Sequence, residues 1–352
     1  MSNSTFPPIF DGHNDVLSLQ HSTGAGARKA FTQGNNAHID VPKSRLGGFG
    51  GGFFAIYVPS PGDFSEYYEK MQEAAYDLPL PAPVPQAEAA PVVLAQAQIL
   101  RDLEADGALK VCTKVSEIRE CLDAGTMAAI MHIEGAEGID TDLDMLTTLH
   151  DLGLRSIGPV WSRPTAFGHG VPFRYPSDGD IGPGLTEAGK DLVRECNRLG
   201  IMLDLSHLNA AGVRDIAKIS DAPLVATHSN AHAISPHARN LTDEQLAMIR
   251  DSDGMVGLNF AVAFLRPDGQ MREDVSLDLM MRHLDHLITH LGEDRVGLGS
   301  DFDGATVPEG IRDIAGLPSL RDAMRAHGID EPLMAKLCNE NWLALLERTW
   351  KE

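Results

Sequence analysis

Cysteine is scarce and scattered in this sequence. The four cysteines, Cys112, Cys121, Cys196 and Cys338, show no C-x-x-C spacing. Neither a disulfide framework nor a cysteine zinc site is expected, and a reducing compartment is. Basic residues are also in short supply: 29 Lys and Arg stand against 50 Asp and Glu, a net charge of −21. A surface of that sign repels phosphate backbones and anionic membranes, so neither nucleic acid nor membrane is an expected partner. No run approaches the ~18 apolar residues of a membrane span. The opening Met1-Ser-Asn-Ser-Thr-Phe-Pro-Pro8 lacks the basic and apolar regions of a signal peptide, and the expected location is cytoplasmic. There is no internal repeat, and no composition break divides the chain.

What is present is a succession of apolar runs and helical stretches. With 352 residues and 43% apolar content, the chain can bury one large core. Strand-like runs fall at 8–13, 53–58, 128–133, 154–160, 201–205, 224–227, 255–259 and 296–299. Helices are predicted at 143–152, 186–199, 210–219, 242–252, 277–291, 320–326 and 333–350. A flexible glycine run, 47–52, precedes the second strand, and a long loop, 161–184, follows the fourth. An insertion at about 60–125 carries helices at 67–78, 92–106 and 115–124, a proline-rich loop at 80–85 and a short peripheral strand at 109–112. Eight strands alternating with helices predict an α/β fold, a single (β/α)8 TIM barrel over residues 1–352. The open doubly wound sheet is disfavoured, because no glycine-rich phosphate loop follows the first strand.

In such a barrel the active site is built from the carboxyl ends of the strands. The first strand ends in Phe10-Asp11-Gly12-His13-Asn14-Asp15, and His13 and Asp15, two apart, share one side of a strand. The third ends in Glu134, the fifth in His207, the sixth in His228 and the eighth in Asp301. Barrel interiors are normally filled by Val, Ile and Leu, so His and carboxylates gathered at five strand ends point to metal ligation rather than packing. The set divides in two: His13 and Asp15 for one divalent ion, His207 and His228 for a second, with Glu134 bridging. Two such ions share a hydroxide that is nucleophilic at neutral pH, and Asp301 is placed to take and return a proton. Arg239, in the loop after His228, reads equally as a substrate clamp or as a surface ion pair.

With these residues in view, the sequence resembles the membrane (renal) dipeptidase family of zinc metallopeptidases. The resemblance rests on Asp11-Gly-His-Asn-Asp15, Gly51-Gly-Phe-Phe-Ala-Ile-Tyr-Val-Pro59, Ile133-Glu-Gly135, Asp204-Leu-Ser-His207, Thr227-His-Ser229, Arg239-Asn240 and Gly299-Ser-Asp-Phe-Asp-Gly304, in order along nearly the whole chain. It implies a barrel with two Zn²⁺ per chain that hydrolyses small-molecule dipeptides, with His13, Asp15, Glu134, His207 and His228 as ligands. It further implies Asp301 as the acid/base group and Arg239 as a substrate contact. One position departs. After Leu152-Gly-Leu-Arg155 the family typically carries a His that holds the substrate or the tetrahedral oxyanion, and Trp161 stands there. An indole N–H only donates and does not titrate; His169 or Arg163, in the same loop, is the expected substitute donor.

Three histidines, His283, His286 and His290, share a helix face but are read as packing or solvated side chains on the outer ring. His132, two residues before Glu134, is read as supporting the ligands from behind. The function expected is a dizinc dipeptidase acting through a metal-bridging hydroxide. The alternative on the same barrel is a metal-dependent hydrolase of another amide or of a lactone, and a metal-binding protein without catalysis is the remaining reading. Other divalent ions could replace zinc, and fold-level analogy points to a homodimer.

Overall fold

The apolar runs become parallel strands, described in a computed structural model over residues 6–61 and 65–350. In chain order the barrel strands are β1 (Ile9–Asn14), β2 (Phe49–Tyr57), β3 (Ala128–Glu134), β4 (Leu154–Gly158), β5 (Met202–Leu203), β6 (Val225–Ala226), β7 (Met255–Leu258) and β8 (Val296–Leu298). β1 to β5 pair in sequence, and so do β6 to β8, every pair parallel. Two further parallel bridges close the ring: Asp204 with Val225 joins β5 to β6, and Asn14 with Phe302 joins β1 to the end of β8. The expected (β/α)8 barrel is the fold observed.

β3 shows why these runs become strands. Its sequence AAIMHIE is buried at every position, as a strand covered on both faces requires. Ala128 and Ile130 join the inner cluster with Phe10, Phe53, Met202, Val225 and Met255, closed from below by Trp342. Ala129, Met131 and Ile133 pack outward against the helices, the period of two that a strand imposes. His132 and Glu134 continue the inner face towards the mouth.

Several local expectations are corrected. The glycine run is not flexible: Gly50, Gly51 and Gly52 lie inside β2. A Cβ on Gly51 would collide with the Ala128 backbone and one on Gly52 with Asp11, so the glycines allow close strand approach. The helix predicted at 67–78 is only Ser65–Lys70; Tyr76–Asp77 is instead a strand, antiparallel to Arg174–Tyr175 in the long loop. Burial decides this segment. Met71, Tyr76 and Leu78 bury against Ala261, Ala263 and Phe264, and the Tyr76 hydroxyl donates to the Gly269 carbonyl at 2.5 Å, which outweighs local helical spacing. The next helix, Gln86–Ala105, begins ahead of its predicted start and contains Pro91 near its amino end. Lys110–Val111 pairs with β3 as the short extra strand. The last predicted helix is Glu331–Ala335 and Asn341–Thr349, joined by the π turn Lys336–Glu340. Its Trp342 indole donates to the Leu298 carbonyl at 3.0 Å beneath the barrel. Three helices absent from the sequence reading, Val16–Thr23, Ala27–Gln33 and Val41–Gly47, connect β1 to β2.

Candidate metal centre

Four strand ends bring His13, Asp15, Glu134, His207 and His228 to one point. Glu134 ends β3, and its Oε1 lies 3.1 Å from His207 Nε2, 3.4 Å from His228 Nε2 and 3.8 Å from His13 Nε2. His13 Nε2 is 3.4 Å from Asp15 Oδ2. Asp15 is already beyond β1, at the cap of the following helix, so the pair converges across a strand end and not along a regular strand. The β1–β2 register slips between Asp11 and Asn14, where His13 turns to face His132 and His228. The donors form two groups, His13–Asp15–Glu134 and Glu134–His207–His228, within each of which one atom per residue lies within 4.8 Å of the others.

Hydrogen bonds from behind set the tautomers. The Thr227 hydroxyl donates to Asp204 Oδ2 at 2.5 Å and so receives the Nδ1 proton of His228 at 2.8 Å. That leaves the Nε2 lone pair of His228 facing the centre. Ser162 Oγ stands 3.1 Å from His207 Nδ1 and can hold that ring in the same way. His207 and His228 then present two Nε2 atoms 3.2 Å apart, and two lone pairs cannot hydrogen-bond each other. His13 Nε2 is buried without a hydrogen-bond partner. Neutral imidazoles converging on a carboxylate, with orphaned nitrogens between them, are a donor set suited to divalent cations, and the residues fit such ions.

Electrostatics agrees. Burial, with the nearby Arg239 charge, holds His207 well below the ordinary histidine range; burial and the His13 charge do the same to His228. Burial opposes charge on His13, but Glu134, Asp15 and Asp301 outweigh it and push it up to about 10. Burial raises Glu134 well above the usual carboxylate range. Protons on His13 and Glu134 would do here what a metal ion does better. His132 is buried, held down to about 3 by burial, and bonds Ser156 Oγ at 2.8 Å, behind the centre and outside the two groups.

Asp301 follows β8 in left-handed backbone, φ 62°. Its amide donates to the His13 carbonyl at 3.0 Å, and its Oδ2 accepts from Asn259 Nδ2 at 3.0 Å. Burial raises its pKa above the usual carboxylate value. Close packing at Gly304 admits it: a Cβ there would strike Asp15 and Asp301 carboxylate oxygens.

Arg239 is buried, only 3% exposed, which removes the surface ion-pair reading. Two of its nitrogens donate to Ser229 Oγ and the His228 carbonyl, each at 2.8 Å, while its Nε has no partner. Burial lowers its pKa to about 10. Above the centre opens a cavity of about 320 Å³ with Asp15, Glu134, His207 and Asp301 in its floor. Trp161 lines it, its ring 5.9 Å from His207 and 5.6 Å from Phe173. Tyr57, Tyr68, Phe173 and Phe264 complete an aromatic wall.

The two substitute donors do not reach this cavity. His169 Nδ1 faces the Gly184 carbonyl at 3.3 Å. Arg163 is wholly buried in an ion pair with Glu137 at 2.6 Å and also bonds Ser60 and the Val58 carbonyl. The sequence reading gave no role to Asn259, Asp204 or Phe173. Asn259 and Asp204 stand at strand ends, where the rule that found the other residues would have found them. Phe173 carries no signal of its own.

Comparison with known proteins comes to the same place. A family model described as membrane dipeptidase (peptidase family M19) matches residues 4–351. A crystal structure of a metallo-peptidase from Rhodobacter sphaeroides, liganded with a phosphinate mimic of the dipeptide L-Ala-D-Ala, is 58% identical, with a TM-score of 0.97 over 98% of this chain and 100% of that one. A second solved metallo-peptidase of family M19, named dipeptidase AC, is also 58% identical, with a TM-score of 0.96 over 98% of this chain and 99% of its own. A Klebsiella pneumoniae protein, named as an uncharacterised protein in the pqqA 5′ region, is 46% identical over 259 residues, 73% of this chain and 96% of that protein.

Proposed function

Because the chain belongs to the membrane dipeptidase family, peptidase family M19, and is a metallo-dipeptidase of it, we propose that the barrel mouth holds two zinc ions and cleaves dipeptides there by hydrolysis. His13 and Asp15 would hold one ion, His207 and His228 the other, and Glu134 both. The observation that carries this reading is the single oxygen Glu134 Oε1, which three histidine Nε2 atoms approach within 3.1–3.8 Å. Bound there, the ions supply an acidified, nucleophilic water and polarise the scissile carbonyl.

The protein's own groups do the rest. Asp301, with Oδ2 held by Asn259, keeps Oδ1 for a proton, and its raised pKa suits taking that proton and returning it to the leaving amine. Arg239 keeps its positive charge within electrostatic reach of Asp301 and Glu134, and its unpartnered Nε is the group proposed to meet the substrate. The aromatic wall, Trp161 included, excludes water and receives the side chains. Neither His169 nor Arg163 has a part in this reading. The ligand of the Rhodobacter protein mimics L-Ala-D-Ala, so substrates with a D-residue in second place belong in the panel.

The test is hydrolysis of L-L and L-D dipeptides by the purified protein, after chelation and again after adding Zn²⁺, with metal counted per chain. Activity lost with the metal and restored by two zinc ions supports the proposal. No cleavage of any dipeptide with two ions bound would overturn the substrate and turn attention to another amide or a lactone.

A further inference from the structure

A second donor cluster lies on the outside of the barrel, sharing no residue with the centre at its mouth. His286 and His290 are one helical turn apart on Leu277–Leu291, the i, i+4 spacing that brings two imidazoles to one face. Asp243 opens the neighbouring helix, Asp243–Asp251, just after its cap Thr242. The two helices pack side by side, and all three side chains meet: His286 Nε2 is 2.7 Å and His290 Nε2 3.8 Å from the same oxygen, Asp243 Oδ1. The imidazole rings stack 4.3 Å apart at 26°, so both Nε2 atoms reach towards one carboxylate.

A hydrogen bond accounts for His286 with Asp243. It does not account for His290, whose Nε2 is too far from Oδ1 to bond it and yet faces it. A tetrahedral ion with ligand distances of ~2.0–2.2 Å needs donor atoms about 3.3–3.6 Å apart, and the observed separations of 2.7 and 3.8 Å bracket that range. His283, one turn earlier, is not part of the cluster: it is buried, with Nδ1 accepting from the Ala231 amide at 3.2 Å and Nε2 facing the Leu265 carbonyl at 2.9 Å. The three histidines that look alike in sequence therefore do different work.

We propose that Asp243, His286 and His290 form a peripheral binding site for one transition-metal ion, of the Zn²⁺, Ni²⁺ or Cu²⁺ class, clamping the two outer helices together. Two imidazoles with one carboxylate favour these ions over Mg²⁺ and Ca²⁺, which prefer oxygen ligands. Asp243 is exposed and the two histidines are partly so, so the ion exchanges with solvent and keeps a coordination position open to water. It joins the helix before β7 to the helix before β8, and is absent from the reaction at the mouth.

The experiment uses the zinc-loaded enzyme. Wild type, a His286→Ala/His290→Ala double variant, His290→Gln and Asp243→Asn are dialysed against micromolar Zn²⁺ and the metal per chain is counted. Wild type is expected to hold one zinc ion more than the double variant and than His290→Gln, which leaves the His286–Asp243 hydrogen bond in place. Asp243→Asn should bind the extra ion at least about tenfold more weakly, a loss already typical of disturbing a ligand's partners. Nickel-charged resin should retain wild type longer than the double variant. Dipeptide turnover should be equal in all four proteins, showing that the barrel is intact. Equal zinc counts in wild type and His290→Gln, or an extra ion that survives in an active double variant, would overturn the proposal.

Discussion

His207 and Asp301 both project into the centre from left-handed backbone, φ 67° and 62°. Such a conformation costs a non-glycine residue of order 1 kcal/mol or more and persists where the surroundings enforce it. Here the enforcing bonds are the Leu208 amide to the Leu205 carbonyl and the Asp301 amide to the His13 carbonyl, each 3.0 Å. Asp301→Asn keeps that geometry and removes the proton acceptor. Turnover should fall by ~10²–10⁴-fold with zinc content unchanged; a matching loss of metal would instead make Asp301 a ligand. Away from the centre, burial holds His283 down to about 4 against an ordinary 6.5. Between those values the unfolded chain binds a proton that the folded one refuses. The contribution of His283 to stability is therefore complete above pH 6.5 and is lost as pH falls towards 4, by up to about 3 kcal/mol. Denaturant unfolding at pH 7 and pH 5 should show a smaller acid loss in His283→Gln than in wild type, by about 2 kcal/mol. Identical losses would show that some other group carries the effect.

At the scale of elements, the cavity wall is built by segments that have no place in a minimal barrel. The pair Tyr76–Asp77 and Arg174–Tyr175 ties the insertion after β2 to the long loop after β4. This fixes Phe173, which stacks on Phe264 at 6.1 Å and 6° and lines the cavity beside Trp161. The wall is apolar while the floor carries the carboxylates, so side-chain recognition and chemistry are borne by different elements. One methylene of contact in an apolar pocket is worth roughly 1–3 kcal/mol, and an aromatic ring supplies at least that much. Phe173→Ala should raise KM about tenfold or more for dipeptides with large side chains, and leave kcat and the metal count nearly unchanged. A fall in kcat with KM unchanged would place Phe173 in the chemistry.

Across the whole molecule, barrel closure and the candidate metal centre meet at one seam. The bridge from Asn14 to Phe302 that closes β1 onto β8 is next to the bond from the Asp301 amide to the His13 carbonyl. Asp15, Glu134 and Asp301 all act electrostatically on His13 beside that seam, and a bound cation would offset the repulsion among their carboxylates. An ion that binds only the folded state adds RT ln(1 + [L]/Kd), about 4 kcal/mol at a thousand times Kd. For a chain of this size each ion should then raise Tm by on the order of 5 °C. Calorimetry before and after chelation reads this directly, and an unchanged Tm would mean that the centre is held by protein contacts alone.

The sequence by itself determined the barrel, because strand periodicity and alternation with helices are local properties that eight strands repeat. It also determined which residue types stand at the strand ends, and so the class of chemistry. It did not determine which atoms meet. That Arg239 is buried behind His228, that Arg163 is spent on Glu137 and that His169 is turned away from the cavity follow from where the long loops lie, and loop paths are set by distant packing. The same holds for Tyr76, whose helical spacing yields to burial against Phe264, and for Gly50 to Gly52, which look mobile and are among the most tightly packed residues in the barrel. Asp243 lies 43 residues before His286, and only the packing of two outer helices brings them together. Local pattern encodes the repeated strands and helices of the barrel; contact between segments is a property of the folded chain alone, and it decides which of the histidines and carboxylates share a site.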